Sequence, residues 1–159
     1  MDSSKQLEAL IGERLSELQH TLATAESCTG GLIAHTITNV PGASGYFTGG
    51  VIAYSNEVKI RYLGVPPGLL AEHGAVSEPV ARLMAQNVQK AFQTQYALSA
   101  TGIAGPGGGT AEKPVGLVYF GLATDGPVEV VRHLFEGGRE AIKSKTAEAA
   151  LALLWEHIS

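Results

Sequence analysis

Thr21-Leu22-Ala23-Thr24-Ala25-Glu26-Ser27-Cys28-Thr29-Gly30-Gly31 is the stretch that decides the fold. Its first five residues read as a short buried strand. Leu32, Ile33, Ile37 and Val40 then recur at helical spacing, so the segment is a strand, a tight turn and a helix in succession. Such a turn presents a hydroxyl at a helix N-terminus, where unpaired N–H groups and the positive end of the helix dipole favour a side-chain oxygen or a bound anion. Gly30 and Gly31 allow the backbone to approach a ligand closely. Taken alone, a Ser or Thr in this position is more often a plain helix cap than a nucleophile.

Working outward, Leu7, Leu10, Ile11, Leu15 and Leu18 predict an amphipathic helix over about residues 4–20. Pro41-Gly42 ends the helix after the turn. Residues 49–55 read as a strand, followed by a short helical run through Asn56, Lys59 and Tyr62 and a break at Pro66-Pro67. Ser77-Glu78-Pro79 is a helix start, and Val80, Leu83, Met84, Val88 and Phe92 give that helix an apolar stripe. A buried strand over 96–101 leads into a glycine-rich loop, 102–113. Strands over 115–123 and 128–135 are joined across Asp125-Gly126 as a hairpin, and 140–157 forms a closing helix. Alternating helices and strands with one hairpin predict an α/β fold: a three-layer α/β/α single domain, residues 1–159, with a mixed sheet.

Composition narrows the function classes. With 45% hydrophobic and 16% charged residues and no run near the ~20 apolar residues of a membrane span, the chain reads as globular with no membrane partner. Met1-Asp2-Ser3-Ser4-Lys5 lacks the apolar core of a signal peptide, which places the protein in the cytoplasm. A net charge of -4 without a basic run argues against nucleic acid as a partner. One cysteine, Cys28, provides no disulfide framework, and the five histidines have no metal-ligand spacing, so no metal site is expected.

Three clusters fall at strand ends or in the loops after them, where open α/β sheets collect ligand sites. They are the Ser27 turn, Tyr54-Ser55-Asn56-Glu57-Val58-Lys59, and Thr101-Gly102-Ile103-Ala104-Gly105-Pro106 with its following glycines. A serine becomes a nucleophile when a base removes its proton, and a neutral, desolvated lysine serves where no histidine is placed to do so. Lys59 is the candidate base; its plainer reading is a solvated lysine on a helix. Tyr54 is either a packing residue or a hydroxyl that relays a proton or holds the lysine. The glycine loop offers backbone N–H groups to a phosphate or an oxyanion, without the spacing of a P-loop or a dinucleotide fingerprint. Arg139 suits a phosphate or carboxylate, or an exposed helix start. Cys28, a thiol at a helix N-terminus, stands second to Ser27 as a nucleophile.

The ordered set Ala25-Glu26-Ser27-Cys28-Thr29-Gly30-Gly31, Val40-Pro41-Gly42-Ala43-Ser44, Gly49-Gly50-Val51, Tyr54-Ser55-Asn56 with Lys59, Gly74-Ala75-Val76-Ser77, Thr101-Gly102-Ile103-Ala104-Gly105-Pro106 and Lys113-Pro114-Val115-Gly116 resembles the CinA C-terminal domain family, the nicotinamide-nucleotide amidases. The resemblance implies a stand-alone domain that hydrolyses the carboxamide of nicotinamide mononucleotide to nicotinate mononucleotide and ammonia, in pyridine-nucleotide salvage and without a cofactor. It places the nucleophile at Ser27, the base at Lys59 and an assisting hydroxyl at Tyr54. Thr101, Gly102 and Gly105 become substrate-site residues beside Arg139, and amides near Gly30 and Gly31 or at Gly102 become the oxyanion donors. It also implies a homo-oligomer, a dimer being favoured. The alternative from another class is a non-catalytic nucleotide-binding module serving a competence or damage response. One departure stands out: relatives often carry Gly-Asp-Arg and then Ile-Arg where this chain has Gly137-Gly138-Arg139 and Ile142-Lys143, and a lysine lacks the arginine fork.

Overall fold

The computed structural model describes residues 5–159. The first four residues, on which the beginning of the expected 4–20 helix and the leader reading fall, lie outside the described residues. In chain order the elements are α1 (Leu7–Leu18), β1 (Leu22–Glu26), α2 (Leu32–Thr38), a 3-10 turn (Ala43–Gly45), β2 (Phe47–Ile52), α3 (Asn56–Leu63), α4 (Pro67–His73), α5 (Glu78–Phe92), β3 (Tyr96–Gly102), β4 (Leu117–Ala123), β5 (Glu129–Leu134) and α6 (Arg139–Ile158).

One five-stranded sheet runs in the order β2-β1-β3-β4-β5. The first three strands are parallel, and β4 and β5 are antiparallel to their neighbours, so the sheet is mixed as the alternation and the hairpin predicted. β1 is buried along its whole length and β3 over all but its last residue, because helices cover both faces. Against one face α1, α2 and α6 bury a core that includes Ile11, Leu15, Leu22, Leu98, Phe120 and Leu154. On the other, α5 brings Val80, Met84 and Val88 against Ala23, Ala25 and Ala97. The small alanine side chains on that face of β1 and β3 leave room for the long helix to close on the sheet.

The structure departs from the sequence reading in specific places. Pro66-Pro67 is not only a break: Pro67 opens α4, where a fixed φ and a missing N–H cost nothing in the first helical turn. β2 begins two residues before the expected Gly49 and ends at Ile52, leaving Ala53, Tyr54 and Ser55 as an irregular link into α3. At the start of α5, Ser77 occupies the cap position with extended backbone, but its hydroxyl donates to the Gly74 carbonyl at 2.8 Å and not to the helix end. Among the described residues no helix is long and apolar enough to cross a membrane.

Candidate active site

The chain leaves β1 for β2 on one side and returns as β3 on the other, which opens a crevice between the carboxyl ends of β1 and β3. Ser27 follows β1 directly into that crevice. Its amide donates to the Ala100 carbonyl of β3 at 2.9 Å, and its own carbonyl accepts from the Gly30 amide at 3.0 Å, closing the turn. Gly30 and Gly31 hold φ of 61° and 102°, which side-chain-bearing residues rarely adopt, so both glycines are required by the turn itself. The Gly30 amide is thereby committed to the Ser27 carbonyl. The amides of Cys28 and Thr29 donate to no oxygen among the described residues.

Ser27 is not the cap of α2. The capping position is Gly31, and the helix end is satisfied by Glu26, whose buried carboxylate accepts from the Ile33 amide at 2.8 Å, the Ala34 amide at 3.1 Å and the Thr29 hydroxyl at 2.7 Å. An anionic group on orphan N–H donors at the positive end of a helix is favourable twice over. With the cap supplied from the last residue of β1, the Ser27 hydroxyl is left for another partner.

That partner comes from α3. Ser55 caps the helix, its Oγ accepting from the Val58 amide at 3.2 Å, and one turn in, Lys59 points inward on the same face as buried Leu63. Lys59 is only 1% exposed. Its Nζ lies 3.0 Å from Ser27 Oγ, 2.8 Å from the Ala53 carbonyl and 3.2 Å from the Tyr54 carbonyl. A neutral amine has two N–H donors and one lone pair. In the structure Lys59 Nζ donates to all three oxygens, as the three N–H groups of an ammonium would; in the neutral amine it is the lone pair that would face the Ser27 hydroxyl. Burial pushes the Lys59 pKa below the ordinary lysine value, with the neighbouring Cys28 pulling weakly the other way.

A cavity of about 250 Å³ opens over this pair, with Thr101, Gly105, Tyr54 and Arg139 among its lining. Thr101 is buried and its hydroxyl donates to the Ala75 carbonyl at 2.9 Å, tying the loop before α5 to the end of β3. Gly102 is tight for a different reason: a Cβ there would stand 2.8 Å from the Leu117 carbonyl oxygen of the adjacent strand. Arg139, the first residue of α6, donates to the Gly105 carbonyl at 2.8 Å and to the Tyr54 hydroxyl at 3.0 Å. The Tyr54 hydroxyl therefore faces the arginine, and it is the main-chain carbonyl of Tyr54 that holds the lysine. Two wider grooves, of about 590 and 630 Å³, flank α1 and carry no nucleophile paired with a base.

Some neighbours were not read from the sequence as they stand. Cys28 lines the cavity, but burial pushes its thiol up to about 12, the reverse of the lowering expected from its place before a helix. Glu26 went unrecognised as a cap because it sits six residues before the first helical residue, Leu32. Lys143, one turn into α6 from Arg139, sets its Nζ 3.6 Å from where a Gly30 Cβ would stand, beside the Ser27 turn.

Residues 4–158 match the family model described as the CinA C-terminal domain. The chain belongs to that family. A putative competence-damage inducible protein of Moorella thermoacetica is 55% identical over 152 residues, covering 96% of this chain and 37% of the relative. A CinA-like protein of Syntrophobacter fumaroxidans is 50% identical over 149 residues, or 94% of this chain and 35% of that protein. This CinA-family chain thus spans about a third of the length of the curated relatives it matches. Among solved structures, a competence-damaged protein (CinA) superfamily protein from Klebsiella pneumoniae superposes with a TM-score of 0.92 at 32% identity, covering 96% of this chain and 95% of that one. A competence/damage inducible protein from Agrobacterium tumefaciens does so with 0.89 at 36%, covering 98% of both.

Proposed function

We infer that this CinA-family chain is an amidohydrolase that converts nicotinamide mononucleotide to nicotinate mononucleotide and ammonia with a serine nucleophile and a lysine base. The observation that carries the reading is the 3.0 Å approach of Lys59 Nζ to Ser27 Oγ, with the other Nζ contacts both carbonyls. Neutral Lys59 takes the Ser27 proton as Oγ attacks the carboxamide carbon, and the C=O electron pair moves to oxygen. The resulting ammonium then gives its proton to the amide nitrogen as the C–N bond breaks, releasing ammonia and leaving an ester on Ser27. Water attacks that ester, Lys59 accepting its proton and returning it to Ser27 Oγ.

The negative oxygen of both tetrahedral species calls for donors beside Ser27, and the Cys28 and Thr29 amides are the nearest in sequence that remain uncommitted. One such donor is worth roughly 3 kcal/mol in the barrier. Arg139, held at the cavity edge by Gly105 and Tyr54, gives the nucleotide's anionic end a cation. The names of the relatives speak of competence and damage, which favours a second reading in which the same cavity binds a nucleotide without turning it over. Incubation of the purified chain with nicotinamide mononucleotide separates the two. The amidase yields equimolar ammonia and nicotinate mononucleotide, and the binding module returns the nucleotide unchanged.

A further inference from the structure

Asn56, the first residue of α3, lines the cavity over the Ser27 and Lys59 pair and is exposed. It stands one helical turn before Lys59 on the same face of the helix. Asparagine disfavours a helix interior and is usually placed at a helix start to cap it. Here the cap is Ser55, whose Oγ accepts from the Val58 amide at 3.2 Å, so the Asn56 carboxamide has no local duty. The hydroxyl and charged side chains of the lining are engaged. Ser27 meets Lys59, Thr101 donates to the Ala75 carbonyl, and Arg139 donates to the Gly105 carbonyl and the Tyr54 hydroxyl. Among the described residues, Asn56 is the one side-chain amide in that lining, and it makes no hydrogen bond.

We propose that Asn56 is a substrate-binding residue whose Oδ1 accepts an N–H of the carboxamide that is cleaved, so that the site reads the amide nitrogen as well as the carbonyl. This assignment rests on the amidase reading. In that reading the carboxamide carbon meets Ser27 Oγ and its oxygen turns to the Cys28 and Thr29 amides. The nitrogen then lies toward α3, where Lys59 delivers its proton, and Asn56 is on the same face of that helix. The two N–H groups of a carboxamide call for acceptors. Most of what surrounds them donates: Arg139 and the amides of the Ser27 turn carry only N–H groups, and the carbonyls of Ala53 and Tyr54 already hold Lys59. Because no hydrogen bond fixes its own carboxamide, Asn56 turns Oδ1 to the substrate without breaking one. A site that hydrogen-bonds a substrate N–H rejects an analogue that lacks it, since the acceptor is then left unpaired.

The test compares nicotinamide mononucleotide with its acetylpyridine analogue, a ketone of the same shape that carries a methyl group in place of the amide nitrogen. Calorimetric binding to the full Ser27→Ala chain avoids turnover. The amide is expected to bind more tightly than the ketone. Adding Asn56→Ala then weakens the amide about five- to tenfold, the worth of one hydrogen bond, and the ketone less than about twofold. Alanine at this exposed position favours the helix and leaves the Ser55 cap in place, so the fold is kept, which circular dichroism verifies. Equal weakening of both ligands, weakening of neither, or no binding of either overturns the proposal. Ammonia release by the parent, measured alongside, keeps the two readings apart. Selective weakening of the amide without ammonia release removes the amidase reading and leaves Asn56 as the reader of the amide, whereas ammonia release with equal weakening does the reverse.

Discussion

Lys59 Nζ and Ser27 Oγ lie 3.0 Å apart although 32 residues separate them along the chain. Two unrelated devices bring them together. The Glu26 carboxylate takes over the capping of α2 and leaves the serine hydroxyl unclaimed, while the carbonyls of Ala53 and Tyr54, in the link between β2 and α3, pull the lysine down onto it. The pair is thus assembled by main-chain geometry, with few side chains involved.

The lowered pKa of Lys59 fixes the direction of the pH dependence. Only the neutral amine accepts the serine proton, so kcat/KM falls as pH drops through the folded-state pKa, which burial holds below the ordinary lysine value. The same shift acts on stability. Between the lowered folded value and the unfolded one the unfolded chain binds more protons, so the contribution of Lys59 to stability is present above the unfolded pKa and is lost as pH falls through the folded one. A pH-rate profile of the parent checks the first statement. An acid limb that coincides with an unshifted lysine would remove burial from the explanation.

Cys28→Ser is expected to keep its turnover within about threefold of the parent, since a thiol pushed up to about 12 supplies almost no thiolate near neutrality. Steady-state kinetics decide the matter. Inactivation of this variant with retained folding would transfer the nucleophile from the serine to the neighbouring sulfur.

Glu26→Ala strips three hydrogen bonds from the α2 end and leaves the Ile33 and Ala34 amides without their acceptor. Loss of a charged cap in a buried setting costs about 2–4 kcal/mol. Urea denaturation should show that loss, with Glu26→Gln intermediate because its one oxygen still accepts.

Tyr54→Phe separates two roles of one residue. The main-chain carbonyl that holds Lys59 survives the substitution, and the hydroxyl that receives Arg139 does not. The expected signature is a KM raised roughly two- to tenfold, the worth of one hydrogen bond, with a much smaller change in kcat. A collapse of kcat with KM unchanged would instead make the hydroxyl a participant in proton transfer.

Much of this was legible in the sequence. The strand, turn and helix around Ser27 announce themselves through five buried residues followed by paired glycines, and Asp125-Gly126 between two apolar runs marks the β4–β5 hairpin. What escaped was tertiary in origin. α4 is hidden because Pro66-Pro67 signals a stop and a start in the same letters. Lys59 on the polar helix Asn56-Glu57-Val58-Lys59-Ile60-Arg61 looks solvated, and only the packing of α3 over the crevice shows that it is buried. Glu26 belongs to a strand by periodicity, so its service to a helix that begins six residues later has no local signature. Cys28 was read from its helix-end position, which lowers a thiol pKa, but desolvation outweighed that effect.

The most direct test of the central claim is ammonia release from nicotinamide mononucleotide by the parent, Ser27→Ala and Lys59→Met chains, measured side by side at neutral pH without added metal and with each fold checked by circular dichroism. The account predicts steady ammonia and nicotinate mononucleotide from the parent, none from Ser27→Ala, and a loss of at least about 100-fold in Lys59→Met, where bulk is kept and the proton acceptor is gone. Undiminished release from the folded Ser27→Ala chain would contradict it.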